Sequence, residues 1–544
     1  MIDPWIFWLT TIVYIGITFF LAYLGWKKTK CHEDFLIAGR KVNPLIIGLS
    51  YGATFISTSA IVGFGGVAAQ LGMGLIWLNV LNIAVGILIA FIVFGKRARK
   101  IGQALHALTF PDLMSKRFNS NFLQYTGSIV ILLSMPLYSS AVLIGGARFI
   151  EEILGVQYEY ALLGFTIITA VYVLAGGLIA VMYTDAFQGA IMLFGMAAIL
   201  IITYVTLGGV THANQALTDL PGLVPESSIS GLIGKGWTGW TSMPDLGSPI
   251  WYSMVTTIIL GVGIGVLAQP QLVVRFMTAK DDKSLNRAVP IGSFFILMMT
   301  GVAFTIGALT NVYFWENEGR IATEMVGGNV DKIVPLFINS SMPEIIVIIF
   351  MLTLLAAAMS TLSSIFHTMG SAAGYDLWNH VKRYRKLNTS GPKEEKRPTK
   401  LMSSQVGMMI MIVVTLALAF VMPASIIAKA TAMFMGLCAA AFLPLYAHGL
   451  FSQRVSRIGA ISSLLAGSIA WFLWSAFIQV DISNRLGLCN ALFGVNTLAG
   501  HPWQVMDPLI IAVPISIVAL VIGWYYEFKI KKKEPAPESI ASSG

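Results

Sequence analysis

Long uninterrupted apolar runs dominate the pattern of hydrophobic and polar positions along the chain. A membrane-spanning helix needs about 20 mostly apolar residues, and a β-barrel strand would instead alternate over about ten residues. The runs are continuous, so they predict helices and not barrel strands. Thirteen are predicted, near residues 4–26, 44–70, 74–95, 122–150, 159–184, 187–212, 249–277, 288–313, 343–377, 402–424, 427–451, 456–478 and 505–528.

Composition supports the membrane interpretation. Of 544 residues, 56% are hydrophobic and 11% are charged, which is more apolar surface than a soluble fold of this size can cover. The first run begins MIDPWIF and lacks the basic segment of a signal peptide, so we expect a retained helix. The sequence therefore predicts an all-α, multi-pass protein of the cell (plasma) membrane.

The basic residues indicate an orientation. Most of the 35 lysines and arginines lie in alternate connections, such as Lys27 and Lys28, Arg97 and the stretch 382–400. By the positive-inside rule, this distribution places the N-terminus outside and the C-terminus inside. Topology thus accounts for the net charge of +9, and we expect no nucleic-acid partner and no obligatory protein partner. We also expect one transporter domain over 1–528 and a cytoplasmic tail over 529–544.

Two predicted helices look interrupted. The run 44–70 contains SYGATFISTSAIVGFGG, and the run 249–277 contains GVGIGVLAQPQ. Carriers commonly use inverted repeats whose leading helices are broken at the middle of the membrane. Because these two helices are five apart, the pattern predicts repeats over about 44–212 and 249–451. The alternative is that small residues only allow close helix packing.

A hydroxyl-rich face marks the predicted helix 343–377. Its segment LLAAAMSTLSSIFHTMG places Ser360, Thr361, Ser363 and Ser364 on one arc together with Ala357. Hydroxyl and carbonyl oxygens suit a hard monovalent cation. The alternative is a packing stripe whose hydroxyls bond back to the preceding turn.

Several motifs resemble those of the sodium:solute symporter family, which includes sodium/proline, sodium/glucose, sodium/sialic-acid and sodium/pantothenate carriers. They are EDFLIAGRKVNP (33–44), ALTFPDLMSKRF (107–118), IGGARFIEEILG (144–155), GGLIAVMYTDAFQ (176–188), QPQLVVRFMTAKD (269–281) and AAAMSTLSS (356–364). The resemblance implies a leucine-transporter-like 5+5 inverted-repeat core that works by alternating access. It also implies Na+ as the coupling ion, with no organic cofactor.

The resemblance also implies ion sites, position by position. The first sodium would bind the carbonyls of Ala53, Ile56 and Ala357 and the hydroxyls of Ser360 and Thr361. Some members hold a second sodium, for which the matching positions are Asp185, Ser360, Ser363 and Ser364. Asp185 is placed at the junction of two predicted helices, where its alternative role is a capping or gating carboxylate.

The solute pocket departs from the sodium/proline pattern. Phe55 replaces an aspartate within the first interrupted helix, and Val262 and Val266 replace an aromatic pair, so proline is not the expected solute. The pocket candidates are Ser57, Thr58, Tyr138, Ser139, Val262, Val266 and Gln269. None is charged, so backbone N–H groups would have to hold an anionic group. An amino acid or a monocarboxylate is the expected solute.

Three other functions compete with sodium symport. A proton-coupled carrier of the same fold is suggested by His367, although a histidine satisfied by packing is the plainer interpretation. A channel would favour rings of ligands supplied by several subunits. An enzyme is disfavoured because the predicted spans contain no set of paired carboxylates or nucleophile and base suited to catalysis.

Overall fold

Helices are the only regular elements in the computed structural model, which describes residues 4–378, 401–423 and 425–530. The main helices are α1 (Pro4–Lys28), α2 (Pro44–Phe55), α3 (Ser59–Leu71), α4 (Met73–Ala104), α5 (Phe110–Phe118), α6 (Asn121–Leu154), α7 (Tyr158–Thr206), α8 (Pro249–Ala268), α9 (Pro270–Met277), α10 (Asp282–Glu318), α11 (Glu344–Trp378), α12 (Leu401–Val421), α13 (Ile427–Phe451), α14 (Arg457–Phe477) and α15 (Leu509–Tyr525). Short helices such as His32–Ile37, Val210–Asp219 and Ile333–Ser341 lie between them.

Within the described residues, eleven helices are long and apolar enough to cross a membrane, and the bent pair α2–α3 raises this number to twelve. The segment Tyr158–Val171 is apolar but shorter than the others. The all-helical membrane fold is therefore confirmed, while the count of thirteen and the orientation of the termini stay predictions. The basic stretch 382–400 and most of the predicted tail lie outside the described residues.

The first interruption separates α2 from α3. Asn43 caps the start of α2 by accepting a hydrogen bond from the Leu45 N–H at 2.9 Å, with Pro44 in the first turn. The helix ends at Ile56, whose φ of −93° and ψ of 108° leave the helical region. The axes of α2 and α3 differ by 52°. The predicted break is therefore present, and it leaves carbonyl groups of α2 without helical partners.

The second interruption separates α8 from α9 at Gln269. This residue has φ −68° and ψ 120°, and Pro270 begins the next helix. A residue before proline is disfavoured in the α region because the proline ring collides with it. The Gln-Pro pair therefore explains where the helix stops, and the glycines before it allow close packing. The hypothetical Cβ of Gly265 would lie 2.2 Å from the Met435 carbonyl oxygen of α13.

The predicted boundary between 159–184 and 187–212 is wrong. The range of α7 contains two helices that meet at Gly177, with φ 62° and ψ −175°, so the boundary lies about eight residues before the predicted one. A positive φ suits glycine because it has no Cβ, so the Gly-Gly pair at 176–177 breaks the helix eight residues before Asp185. Asp185 is therefore neither a junction residue nor a helix cap. It lies inside the second half of α7 and is fully buried.

α11 lies at the centre of the bundle, against α7, α6 and α2. Its residues 356–367 are all buried. Small residues let the neighbouring helices approach closely, as where Gly195 of α7 faces the Thr353 side chain of α11. The hydroxyl-rich face of α11 is thus held directly against the interrupted helix α2.

The contact between α10 and α3 predicts a sensitive position at Gly307. A Cβ on Gly307 would lie 2.1 Å from the Gly65 carbonyl oxygen, so the two backbones must separate to admit it. We expect Gly307→Ala to lower the free energy of unfolding by about 1–3 kcal/mol, measured by thermal unfolding in detergent. Gly16→Ala on α1 is the control, because nothing lies within 4 Å of its Cβ position. Equal unfolding temperatures for both variants would contradict this close approach.

Candidate functional site

The hydroxyl face of α11 meets the end of α2 at the Ala53 carbonyl. The Ser360 hydroxyl donates to this oxygen at 2.9 Å and to the Ala357 carbonyl at 3.2 Å. The Thr361 hydroxyl donates to the Ala53 carbonyl at 3.3 Å and to the Thr54 carbonyl at 3.2 Å. All of these residues are fully buried. The structure therefore brings together four of the five residues expected to bind the first sodium, as a cluster of oxygen atoms.

Ile56, the fifth residue, lies at the break itself. Its N–H completes the last turn of α2 by donating to the Gly52 carbonyl at 2.8 Å. Beyond it, the Ser57 hydroxyl accepts a hydrogen bond from the Ser59 N–H at 3.1 Å, which helps to begin α3. The Ile56 carbonyl thus lies beyond the regular ladder of α2, as expected for a free ligand oxygen.

The residues expected to hold a second sodium surround Asp185. The Ser363 hydroxyl donates to Asp185 Oδ1 at 3.2 Å, and the Ser364 hydroxyl donates to Asp185 Oδ2 at 3.4 Å. On the opposite side, Ser50 and Thr54 of α2 donate to the same Oδ2 at 2.9 and 3.1 Å. The carboxylate therefore joins α7, α2 and α11, and the candidate ion sites lie on adjacent turns of α11.

Arg275 of α9 enters this cluster, a placement that sequence reasoning missed. Its Nη2 lies 2.7 Å from Asp185 Oδ2 and also donates to the Thr54 and Ser364 hydroxyls. Its Nε donates to the Ser50 hydroxyl at 3.1 Å, and its Nη1 donates to the Gln271 carbonyl at 2.8 Å. The positive-inside rule, applied to the sequence, treats Arg275 at the end of the predicted helix 249–277 as a loop charge. The available signal was a lone charge inside the apolar run LVVRFM, directly after a predicted break.

The pair of Arg275 and Asp185 is fully buried, with side chains 1% and 0% exposed. An arginine stays charged under these conditions, and an ion pair removed from water is maintained only if hydrogen bonds satisfy both partners. Four hydroxyls, of Ser50, Thr54, Ser363 and Ser364, and the Gln271 carbonyl provide those bonds here. In this conformation, the guanidinium neutralises the carboxylate that the second sodium would need.

The solute candidates on α6 differ in how their hydroxyls are used. Tyr138 stacks on Phe434 of α13, with ring centroids 5.2 Å apart and planes 9° apart, and its hydroxyl donates to Ser57 at 3.4 Å. Ser139 instead bonds with Thr415 of α12 at 2.9 Å. The Tyr138–Phe434 pair therefore faces the break in α2, whereas Ser139 joins α6 to α12.

The remaining solute candidates are also buried. Thr58 donates to the Val142 carbonyl at 2.8 Å, so its hydroxyl is occupied by helix packing. Gln269 accepts a hydrogen bond from Gln271 at 2.6 Å, while its amide nitrogen has no partner among the described residues. Val262 and Val266 are 3% and 1% exposed. A buried donor without a partner at a helix break is an available contact for a polar solute.

His367 is accounted for by packing. Its ring stacks obliquely on Phe35, with centroids 5.4 Å apart, and Nε2 lies 2.9 Å from the Phe35 carbonyl oxygen. A carbonyl only accepts, so Nε2 is the donor. This contact favours the structural interpretation of His367 over a role in proton coupling.

A further buried acid holds the start of α13. Asp331 lies in the connection between α10 and α11, outside the membrane-spanning helices. It accepts a hydrogen bond from the Ile426 N–H at 3.2 Å. Burial raises the pKa of Asp331 to about 6, although backbone N–H groups at 425–427 favour its charged form. This contact fixes the helix that supplies Phe434 to the solute site.

The Arg275–Asp185 pair predicts strongly non-additive stabilities. Removing either partner leaves the other charge buried and unpaired, so Arg275→Met and Asp185→Asn should each cost about 3–5 kcal/mol. The double variant should cost less than the sum of the two. Thermal unfolding of the four proteins in detergent measures this cycle. Lys429→Met, which breaks the half-exposed pair with Asp481, is the control and should cost about 0–1 kcal/mol. Additive single effects would contradict the pairing.

Comparisons with known proteins give the site its context. The sequence model of the sodium:solute symporter family matches residues 35–467. The sodium/pantothenate symporter of Haemophilus influenzae is 28% identical over 89% of this chain and 95% of that protein. The sodium/proline symporter of Escherichia coli is 25% identical over 86% of this chain and 87% of that protein.

A solved structure shows the same fold. The substrate-bound, outward-open state of a Na+-coupled sialic acid symporter covers 98% of both chains with a TM-score of 0.73 and 18% identity. The expected leucine-transporter-like fold is therefore confirmed, and the relatives are carriers and not enzymes. The protein is a multi-pass transporter of the plasma membrane. By the match of its sequence over most of its length, the chain belongs to the sodium:solute symporter family.

Proposed function

We propose that this protein is a sodium-coupled symporter that imports an amino acid or a monocarboxylate by alternating access. The observation that carries the proposal is the meeting of the Ser360 and Thr361 hydroxyls with the Ala53 carbonyl at the break in α2. Membership of a family of sodium-coupled carriers supports the same conclusion. No organic cofactor, nucleic acid or obligatory protein partner is part of the proposal.

The first sodium would bind at the junction of α2 and α11. Its ligands would be the carbonyls of Ala53, Ile56 and Ala357 and the hydroxyls of Ser360 and Thr361. The hydroxyl protons that now point to carbonyls would turn away, so that oxygen lone pairs face the ion. A sodium ion there would bind oxygen atoms of both α2 and α11 and hold the two helices together. Coupling follows if the ion stabilises the conformation of the break that also binds solute.

A second sodium would bind Asp185, Ser360, Ser363 and Ser364. The Arg275 guanidinium lies on Asp185 in the described conformation, so this ion and the guanidinium would compete for the carboxylate. Binding a second sodium then requires Arg275 to withdraw from Asp185. One transported sodium would leave the pair intact, whereas two would open it during each cycle.

The solute would bind beside the two breaks, among Ser57, Thr58, Tyr138, Ser139, Val262, Val266 and Gln269. The amide nitrogen of Gln269, which has no partner among the described residues, is a donor suited to a carboxylate. The Tyr138–Phe434 pair and the two valines offer an apolar surface to the rest of the molecule. The relatives are named for proline, pantothenate and sialic acid, all of which carry a carboxylate.

Uptake into proteoliposomes tests the function. We expect at least one solute in a screen of amino acids and short carboxylates to accumulate under an inward sodium gradient and not when potassium replaces sodium at constant pH. Ser360→Ala should raise the sodium concentration for half-maximal uptake about tenfold, because it removes an oxygen that contacts the charge.

Ser371→Ala is the matched control for Ser360→Ala. Ser371 lies on the same helix and is also buried, but its hydroxyl donates to the His367 carbonyl, away from the break. Its sodium dependence should equal that of the unmodified protein. Accumulation that persists in potassium, or an equal shift in both variants, would refute sodium binding at this place.

The second sodium has its own test. If two ions move per cycle, the Hill coefficient for sodium-dependent uptake exceeds one, and Asp185→Asn should lower it towards one. Because that variant leaves Arg275 unpaired, Ser363→Ala provides a milder second test of the same site. A coefficient above one that neither substitution changes would contradict a second sodium at Asp185.

A further inference from the structure

A carboxyl group with no part in the proposed transport sites lies at the C-terminal end of α11. Asp376 is fully buried, twelve residues beyond Ser364 on the same helix. Its Oδ1 accepts two hydrogen bonds, from the Thr109 hydroxyl at 2.9 Å and from Gln124 Nε2 at 2.7 Å. Its Oδ2 is also buried and has no hydrogen-bond partner among the described residues. The two oxygens of this carboxyl group therefore have unlike surroundings.

The unequal use of these two oxygens distinguishes the two protonation states of Asp376. An ionised carboxylate has two equivalent oxygens that only accept hydrogen bonds, so donors are expected on both. A protonated carboxyl group has one carbonyl oxygen with two lone pairs and one O–H group that donates. The two donors on Oδ1 fill both lone pairs of a carbonyl oxygen, and an O–H group at Oδ2 needs no donor. The hydrogen bonds of Asp376 thus match the protonated form.

Asp112, a second buried acid close by on α5, shows the opposite pattern. The Thr109 hydroxyl that donates to Asp376 also accepts from the Asp112 N–H at 3.1 Å. The Oδ2 of Asp112 accepts from Lys116 Nζ at 2.8 Å and from the Leu108 N–H at 2.9 Å. Asp112 therefore has the cation that a buried carboxylate needs. Asp376 has only neutral donors, and a buried acid without a counterion is neutralised by binding a proton.

The elements packed around this carboxyl group supply no cation that could replace the proton, within the described part of the chain. The charged groups of α5 are Asp112, Lys116 and Arg117. Lys116 is paired with Asp112, and Arg117 donates to carbonyl groups at the end of α13. The nearest titratable groups on α11 and in the first two turns of α6 are the phenols Tyr375 and Tyr125, and α12 contains no titratable side chain.

Asp376 connects three neighbouring elements. Thr109 is the N-cap of α5, and Gln124 lies in the first turn of α6. α12 closes the other side of α11, where a Cβ on Gly374 would lie 2.4 Å from the Ser404 nitrogen. Ionisation would place a charge in this enclosed position, and water could hydrate that charge only if the elements separated. The protonation state of Asp376 is therefore coupled to the packing of the end of α11.

α5 extends this connection to the helix that supplies Phe434 to the solute site. Arg117 Nε donates to the Gly449 carbonyl at 2.7 Å, and its Nη2 donates to the Ser452 carbonyl at 2.9 Å. Both carbonyls lie at the C-terminal end of α13. α5 thus joins the end of α11, which carries the hydroxyl-rich face, to the end of α13.

We propose that Asp376 is a proton-binding site, that its bound proton locks the end of α11 to α5 and α6, and that loss of the proton releases this lock. The proposal goes beyond sodium symport and depends neither on the solute nor on the two sodium positions. A sodium or potassium ion at Oδ2 is the alternative occupant. It is disfavoured because Thr109 and Gln124 present hydrogen atoms, and not lone pairs, to this carboxyl group.

The bound proton fixes the sign of the pH dependence. The locked state holds one more proton than a state in which water reaches Asp376, so its stability falls as the pH rises. The loss begins above about pH 4, where an aspartate in water ionises, and is complete once Asp376 itself has ionised. Asp376→Asn keeps the oxygen that accepts from Thr109 and Gln124 and replaces the O–H group by an N–H donor. This variant should therefore stay locked at every pH.

Infrared spectroscopy of protein with isotope-labelled aspartate tests the protonation, because a protonated carboxyl group has a C=O stretching band that an ionised carboxylate lacks. At neutral pH in sodium-free choline buffer, the unmodified protein should show such a band, and Asp376→Asn should lose it. Asp481→Asn is the matched control and should keep the band, since it makes the same change in a half-exposed carboxylate paired with Lys429. Identical spectra of the unmodified protein and Asp376→Asn, or a band that added sodium or potassium removes, would overturn the proposal.

Thermal unfolding in detergent as a function of pH tests the lock. The unmodified protein and Asp481→Asn should lose stability with rising pH more steeply than Asp376→Asn, with slopes that differ by one proton per molecule. At alkaline pH, Asp376→Asn should unfold at a higher temperature than the unmodified protein. Equal slopes, or an Asp376→Asn protein that does not fold, would overturn the lock. Both measurements use neither sodium nor solute, so their results are distinguishable from a failure of the transport function.

Discussion

A helix that stops inside a membrane leaves backbone carbonyls that neither water nor its own ladder can satisfy. In this protein, the carbonyl groups at the end of α2 lack helical partners. The Ser360 and Thr361 hydroxyls of α11 donate hydrogen bonds to the Ala53 and Thr54 carbonyl oxygens and so satisfy them. The arrangement of the bundle follows from this requirement. α11 must lie at the centre, its hydroxyl face must point to α2, and small residues must permit the approach.

The same requirement connects structure to ion binding. An oxygen that lacks a helical partner can accept a hydroxyl proton or contact a cation, and these uses exclude each other at one lone pair. The hydroxyls of α11 hold the break together in the described conformation, and in the proposed function they would become ligands when an ion binds. Arg275 plays the corresponding part at Asp185, because a tethered guanidinium and a free cation compete for one carboxylate. The two positions differ in that a sodium ion could dissociate from the protein, whereas the guanidinium can withdraw from Asp185 but stays attached to α9.

The sequence predicted these features unequally, for physical reasons. Glycine and hydroxyl residues within an apolar run revealed the break in α2, and Gln-Pro revealed the break before α9, because both are local effects. The spacing of Ser360, Thr361, Ser363 and Ser364 revealed one face of α11. Their partners across the bundle came from family resemblance, since periodicity does not show which helices touch. The bend at Gly177 was missed because the predicted helix boundary was placed at the polar residue Asp185 and not at the Gly-Gly pair. Arg275 was missed because charge counting treats every basic residue near a helix end as a loop residue, whereas this one is buried and contacts Asp185.

The buried Arg275–Asp185 pair is also connected to α1, a helix on the lipid-facing side of the bundle. An ion pair removed from water is maintained by the hydrogen bonds around it. Here those bonds come from α2, α11 and the Gln271 carbonyl of α9, while Asp185 itself lies on α7. The face of α7 one turn further holds Gln188, which is fixed by Tyr14 of α1, and Tyr14 also contacts Met359 of α11. α1 therefore connects α7 to α11 from the lipid side. A displacement of α1 would change the separation of the two helices that hold the carboxylate and the hydroxyls, so packing of α1 and the geometry of the proposed ion sites would be coupled.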